Sequence, residues 1–341
     1  MNQVTTIKLS PPYLIFLGDV ADLMSAKTGA GLVQWCPDMV VGQYRTSDTG
    51  VDLGVPDLNI EQAVEAGAKS LVIGVALVGG AMSQQWAPLL NKAALAGLDI
   101  VSGLHTDLAD IPGLADSAKQ AGVKLINVRR APATLPIGNG RKRSGKRVLM
   151  VGTDCAVGKK YSALALSKAM NERGMAATFR ATGQTGLMIA GSGIPVDSVI
   201  ADFISGAAEV ISPDNRDDHW DIIEGQGSLF NPSYSGVSLG LLHGSQPDAI
   251  VVCHDASREF VSSCADYRLP SVKQCIQLNL DCARITNPDV VCIGVCVNTS
   301  KLTVEARQAY LQQLSEELEL PCIDPILDGC NALVDKILTL N

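Results

Sequence analysis

The sequence predicts an α/β protein built on parallel sheets, and three observations carry that prediction. Short continuous runs of β-branched and aliphatic residues alternate with helical segments along the chain. This is the pattern of strands buried on both faces and joined by crossover helices. The length of 341 residues suits two domains of about 100–200 residues each. One apolar strand runs directly into a glycine-rich turn and a helix at residues 148–160, the arrangement in which such sheets bind anions.

The elements follow in order. Residues 13–17 form the first apolar run and end at Gly18-Asp19. Residues 63–67 read as a helix end, and SLVIGVALV (70–78) as a buried strand. Residues 89–96 are helical, 99–101 begin a short strand, 115–122 are helical and 123–128 form a strand. The first domain covers residues 1–138 and residues 139–146 form a basic, Gly-rich linker, with GNGRKRSGK (138–146) lacking any apolar residue. That composition suits a solvated hinge or a phosphate-attracting patch. The second domain covers 147–341. Its strands are predicted at 147–151, 176–180, 220–223, 249–253 and 290–297, and its helices at 159–173, 196–208 and 304–318.

Composition removes several functional classes. Hydrophobic residues make up 47% and charged residues 18% of the chain, with a mean hydropathy of +0.20. Such a chain buries enough surface to offset its ordering entropy, which excludes disorder. The 32 glycines show no period of three, so collagen is excluded. No stretch approaches about 18 uninterrupted apolar residues, so no spanning helix is expected. The net charge is −8 and the pI about 5.0, the wrong sign for tracking a nucleic-acid backbone. Aromatics at 4% are too few for base-stacking platforms.

The N-terminal residues lack a basic region followed by a long apolar core, so residues 13–17 read as a strand and not a signal peptide. The 10 cysteines form no CxxC pair, which suits reduced, buried thiols in a cytoplasmic protein. The four histidines, His105, His219, His243 and His254, do not supply zinc-ligand spacing, and no resident metal is expected.

VLMVGTDCAVGKK (148–160) is the strongest local signal. Glycines let a backbone wrap an anion, and a helix N-terminus adds partial positive charge. Gly152, Thr153, Asp154, Cys155, Gly158, Lys159 and Lys160 are the candidates to hold it. The loop has one residue more than GxxxxGK[ST], and Lys160 stands where a Mg²⁺-ligating hydroxyl would be. Anion binding without obligatory nucleotide hydrolysis follows.

Further candidates lie at predicted strand ends. WDIIEGQGSL (220–229) delivers Glu224 to one, with Gln226 and Ser228 in the Gly-x-Gly turn that follows. Glu224 is suited to general-base work or metal ligation, and lies near the phosphate loop if the two strands are neighbours. RATGQTG (180–186) offers Arg180, Gln184 and Thr185. The polar, glycine-rich segment 231–248 offers Tyr234 and His243, and His254 follows residues 249–253. Cys155 sits near a helix N-terminus, where a thiol pKa can fall. No GxGxxG follows the first strand, so a dinucleotide fingerprint is absent.

These residues carry a resemblance. GTDCAVGK and IEGQGS partly resemble the GTDT-x-VGKT and VEGAGG motifs of dethiobiotin synthetases, up to Lys160. A longer resemblance covers nearly the whole chain. VGTDCAVGK (151–159), ATGQTG (181–186), VDSVIADFISGAAE (196–209), EGQGSLFNPSYSGVSLGLLHGSQPD (224–248) and VNTS (297–300) are similar to the bacterial D-glutamate N-acetyltransferase family. The resemblance implies a Rossmann-like N-terminal domain and a P-loop NTPase-like C-terminal domain. It also implies acetyl transfer from acetyl-CoA to the amine of D-glutamate. Small-molecule substrates are the expected partners, with no nucleic acid and no membrane, and a homodimer is the default for an enzyme of this size.

On this reading Gly158, Lys159 and Lys160 hold the CoA phosphates. Glu224, His254 or His243 takes a proton from the incoming ammonium, and backbone N–H groups near residues 225–228 stabilise the oxyanion. Arg180, Arg258 and Lys27 are candidate partners for substrate carboxylates. One alternative is an ATP-dependent ligase or kinase of the dethiobiotin-synthetase type, in which Mg²⁺ would be required. Another is a non-catalytic nucleotide- or CoA-binding regulator.

Overall fold

The first apolar run of the sequence becomes the second strand of a five-stranded parallel sheet. The computed structural model describes residues 5–47, 50–77 and 82–340. It divides into two compact units, Thr6–Arg130 with Gln184–Pro195, and Ala131–Gly183 with the chain from Val196 onward.

In the first unit the strands are β1 (Tyr13–Gly18), β2 (Val40–Arg45), β3 (Ser70–Ile73), β4 (Asp99–Ser102) and β5 (Leu125–Asn127). Their order is β2-β1-β3-β4-β5, all parallel, an open doubly wound sheet. β3 stops at Ile73, short of the predicted strand; Val78 lies outside the described residues, as do Met1 to Val4 of the N-terminal reading. The connecting helices are α1 (Lys27–Trp35), α2 (Ile60–Glu65), α3 (Ala87–Leu95) and α4 (Leu114–Ala121). Asn59 and Gln62 close α2 with a reciprocal capping box. Leu14, Phe16, Leu71, Ile73, Ile100 and Leu90 are fully buried in the core. Trp86 meets Phe16 edge-on at 5.1 Å.

The second unit holds β6 (Lys146–Gly152), β7 (Ala177–Arg180), β8 (Trp220–Ile223), β9 (Ala249–Asp255), β10 (Val291–Asn298) and β11 (Cys322–Ile323). The order β11-β10-β9-β6-β8-β7 is parallel throughout. Its helices begin with α5 (Lys159–Glu172). Val148, Met150, Ile222, Val251 and Ile293 pack at zero exposure under Leu166 and Met170 of α5. The next helix, α6 (Gln184–Ala190), joins the first unit, where it packs on α1. The second unit continues with α7 (Ile204–Ile211), α8 (Ser235–Ser245), α9 (Val272–Ala283), α10 (Val304–Leu318) and α11 (Asn331–Leu338).

Two predicted elements differ. Residues 196–208 do not form one helix: two single 3₁₀ turns precede α7. The glycine-rich segment 231–248 contains the 11-residue helix α8. The basic segment before β6 is tied to the second unit. Glu209 accepts hydrogen bonds from the Asn139 and Gly140 N–H groups, and Arg143 donates to the carbonyls of Ser212, Gly244 and Ser245. None of the described helices is long and apolar enough to cross a membrane.

Candidate functional site

Strand register decides which side chains meet. β8 lies between β6 and β7, with Ile223 opposite Leu149 on one side and Arg180 on the other. Glu224, the next residue, therefore emerges beside the strand that feeds the phosphate loop. β9 flanks β6 on its other edge, with Cys253 opposite Gly152. The loop from Gly152 to Lys159 thus leaves the sheet between the ends of β8 and β9.

The loop is held from within. Thr153 N–H donates to Cys253 O at 3.0 Å. Asp154 is fully buried and accepts from Asn231 Nδ2 (2.9 Å), Arg258 Nη1 (2.8 Å) and Ser262 N–H (2.7 Å). The same arginine donates to Cys155 O at 2.7 Å and Ala156 O at 3.3 Å. Asp154 and Arg258, which the sequence offers to ligands, are here engaged in fixing the loop. Gly158 takes a left-handed φ of 105° at the N-cap of α5, which L side chains disfavour.

Lys159 follows, only 7% exposed. Its Nζ donates to Asp154 O at 2.7 Å, and no carboxylate among the described residues stands within ion-pair reach. Burial pushes its pKa down, opposed by the nearby Cys155 and Cys253 thiols and by Asp154. Its stem passes Gly225, where an added Cβ would lie 2.9 Å from Cδ and 1.6 Å from Met150 O. Lys160 places its ammonium 4.7 Å from the Tyr161 ring centroid. The first turn of α5 contains no acid and has no side-chain cap. Lys159 therefore stands at the positive end of a helix dipole, an arrangement that costs a cation about 0.3–1 kcal/mol.

Glu224 is 4% exposed. Its Oε2 accepts from the Thr182 and Gly183 N–H groups, both at 2.9 Å, while no described residue hydrogen-bonds Oε1. Burial raises its pKa, and the two N–H groups and Lys160 partly oppose that rise. Thr182 Oγ1 donates to Glu224 O at 2.6 Å and accepts from Gln226 Nε2 at 3.2 Å. Ser228 is buried and its Oγ accepts from Phe230 N–H. Tyr234, half-exposed at the N-cap of α8, closes that turn.

The remaining candidates divide. His254 lies beside the loop, its Nδ1 hydrogen-bonded to Thr153 Oγ1 at 3.0 Å and its ring stacked near Tyr310. Burial lowers its pKa, and Arg258 adds to this against Asp255, so the ring is neutral near pH 7. His243 lies in the last turn of α8, away from the loop, where Nε2 meets Cys282 O at 3.1 Å. Arg180 is engaged by Asp221 at 2.7 Å, in a network with Ser212 and the buried Arg147. Gln184 and Thr185 lie in the first unit, bonded to Arg129 Nη2 (3.2 Å) and Thr28 Oγ1 (3.0 Å). Thr182, Asn231 and Tyr310 were not singled out by the sequence, although the first two sit inside its glycine-bounded turns. Among the described residues no group of three or more His, Cys, Asp or Glu is placed to hold a metal ion.

Residues 136–334 match the DUF1611 C-terminal model, described as a P-loop domain of unknown function. Residues 41–131 match its N-terminal model, described as a Rossmann-like domain. The chain belongs to the DUF1611 family. A DUF1611 crystal structure from Anabaena variabilis, at 2.30 Å resolution, superposes with a TM-score of 0.86 at 32% identity, covering 97% of this chain and 100% of that one. Two relatives matched along almost their whole length carry the name D-glutamate N-acetyltransferase. The one from Tritonibacter scottomollicae is 47% identical over 329 residues, covering 96% of this chain and 99% of the relative. The one from Pseudoalteromonas sp. is 44% identical over 331 residues, covering 97% and 100%. The α/β class, the Rossmann-like and P-loop pairing and the family resemblance read from the motifs are all borne out.

Proposed function

We propose that this DUF1611 protein is an acyltransferase that moves an acetyl group from acetyl-CoA to the amine of D-glutamate. The names of relatives 44–47% identical over almost the full chain support the reaction. One feature of the chain itself carries the donor: Lys159, a buried ammonium with a single backbone acceptor. A buried charge without a counter-charge is costly, and an anion at the α5 N-terminus offsets that cost. Gly158, Lys159 and Lys160 would hold the pyrophosphate of CoA, which supplies a thioester carbonyl for attack.

Glu224 is the base. Two backbone N–H groups fix Oε2, leaving Oε1 to take a proton from the acceptor ammonium. Its raised pKa brings it closer to the operating pH, where a carboxylate accepts a proton with least cost. The freed amine adds to the acetyl carbonyl, N–H groups of the 225–228 turn bind the oxyanion, and the C–S bond breaks to release the CoA thiol. Lys160, in place of a hydroxyl, favours this chemistry over Mg²⁺-dependent phosphoryl transfer. A reducing cytoplasm suits thiols as buried as Cys253 and Cys296, and a homodimer is the commonest assembly for such an enzyme.

The test is thiol release from acetyl-CoA with D-glutamate, with L-glutamate and with neither. D-glutamate-dependent release is expected. ADP formation from Mg-ATP without thiol release would overturn the proposal in favour of a ligase or kinase.

A further inference from the structure

The second unit contains a cleft of about 330 Å³ that the proposed chemistry does not use. Its size is at the lower end for small-molecule sites. It abuts the phosphate loop through two shared residues. His254 lines it while its Nδ1 bonds Thr153, and Arg258 lines it while bonding Asp154, Cys155 and Ala156. A ligand whose phosphates rest on the loop can therefore continue into the cleft.

The lining suits one chemical class. Tyr310 and His254 form an aromatic wall, their rings 14° from parallel. Leu314 and Pro270 add apolar surface, and Glu259 and Glu317 add carboxylate acceptors. Arg258 is already paired with Asp154 at 2.8 Å. Arg268 has no carboxylate partner among the described residues, and its guanidinium stands 5.2 Å from the Phe260 ring centroid. A dicarboxylate needs two available cations, whereas one available arginine beside an aromatic and apolar surface fits a heterocycle bearing one phosphate.

We infer that this cleft takes the nucleoside end of the acyl carrier, with the adenine ring against Tyr310 and Leu314 and the 3′-phosphate at Arg268. The assignment rests on acetyl-CoA being the donor. It predicts that CoA binds more tightly than dephospho-CoA, and that adenosine 3′,5′-bisphosphate binds by itself.

The experiment compares the full chain with Leu314→Trp, which fills the cleft, and Arg268→Gln, an exposed change that leaves the fold intact. Titration calorimetry with CoA, dephospho-CoA and adenosine 3′,5′-bisphosphate is combined with KM values for acetyl-CoA and acetyl-pantetheine. Leu314→Trp should raise KM for acetyl-CoA at least tenfold more than KM for acetyl-pantetheine. Arg268→Gln should abolish a CoA over dephospho-CoA preference of about tenfold. Equal losses with both donors, or an unchanged KM for acetyl-CoA in both variants, would overturn the subsite and leave the acyltransferase reading standing. A wild-type protein inert towards acetyl-CoA would overturn the donor instead. The subsite would then stand only if the bisphosphate bound and Arg268→Gln weakened it, and would fall if it did not bind.

Discussion

Replacing Lys159 with Met separates a lysine kept for a ligand from one kept for the fold. Methionine preserves the stem that passes Gly225 and removes the charge. In the unliganded protein Nζ has one carbonyl acceptor, worth less than the desolvation of an ammonium. Stability is therefore expected to stay level or rise by about 1–3 kcal/mol. At about 2–4 °C per kcal/mol for a unit of roughly 200 residues, that is a rise of several degrees in Tm. Affinity moves the other way. Loss of a charge-assisted contact of about 1.5–3 kcal/mol weakens CoA binding about ten- to hundredfold. Scanning fluorimetry without ligand and titration calorimetry with CoA read the two effects. The pH dependence follows from the lowered pKa of Lys159. The folded protein releases this proton before the unfolded chain does, so stability gains from this group as pH rises towards about 10.4, while CoA affinity falls. Lys159→Met should lose both trends. A variant that melts several degrees lower yet binds CoA as well as wild type would refute the reasoning.

Three further outcomes are expected. Glu224→Gln keeps an acceptor for the Thr182 and Gly183 N–H groups but no base. Its kcat should fall about 10²–10⁴-fold with an unchanged circular dichroism melt. The acidic limb of the wild-type kcat/KM profile, displaced above the ordinary carboxylate range by burial of Glu224, should flatten. Asp154→Ala leaves Arg258 without its closest carboxylate and should cost about 3–5 kcal/mol, read from urea unfolding. His243→Ala removes only the contact with Cys282 O; kcat should stay within about twofold, with a stability loss of about 1 kcal/mol, and a collapse in kcat would return His243 to the mechanism.

The strand alternation and the loop after β6 were legible because both are local: a run of Val, Leu and Met, then glycines and lysines at fixed spacing. Glu224 could be placed at a strand end, but its approach to the loop depends on β8 pairing with β6, a register no local pattern encodes. Arg180, Asp154 and Arg258 looked available because their partners are distant in sequence; Asp221 lies 41 residues from Arg180, and Arg258 lies 104 from Asp154. Helix α8 was hidden by its glycines, which resemble turn punctuation. They serve close packing instead. A Cβ at Gly240 would meet Ile204 Cγ2 at 2.8 Å, and one at Gly244 would meet Ser205 O at 2.2 Å. Contact with α7 overrides a propensity penalty of about 1 kcal/mol per glycine.

The path of the polypeptide has a practical consequence. The chain leaves the first unit after Arg130, returns for Gln184–Pro195, and leaves again. Neither unit can be excised as one continuous gene fragment. A piece ending near residue 138 would lack α6 and expose Thr28 of α1, which is at zero exposure and hydrogen-bonded to Thr185 of α6 in the intact protein. A piece starting near residue 147 would carry α6 as an orphan, with Leu187 and Met188 stripped of their packing. Dissection of this enzyme therefore requires circular permutation or a short bridge replacing residues 184–195, because simple truncation breaks both halves at once.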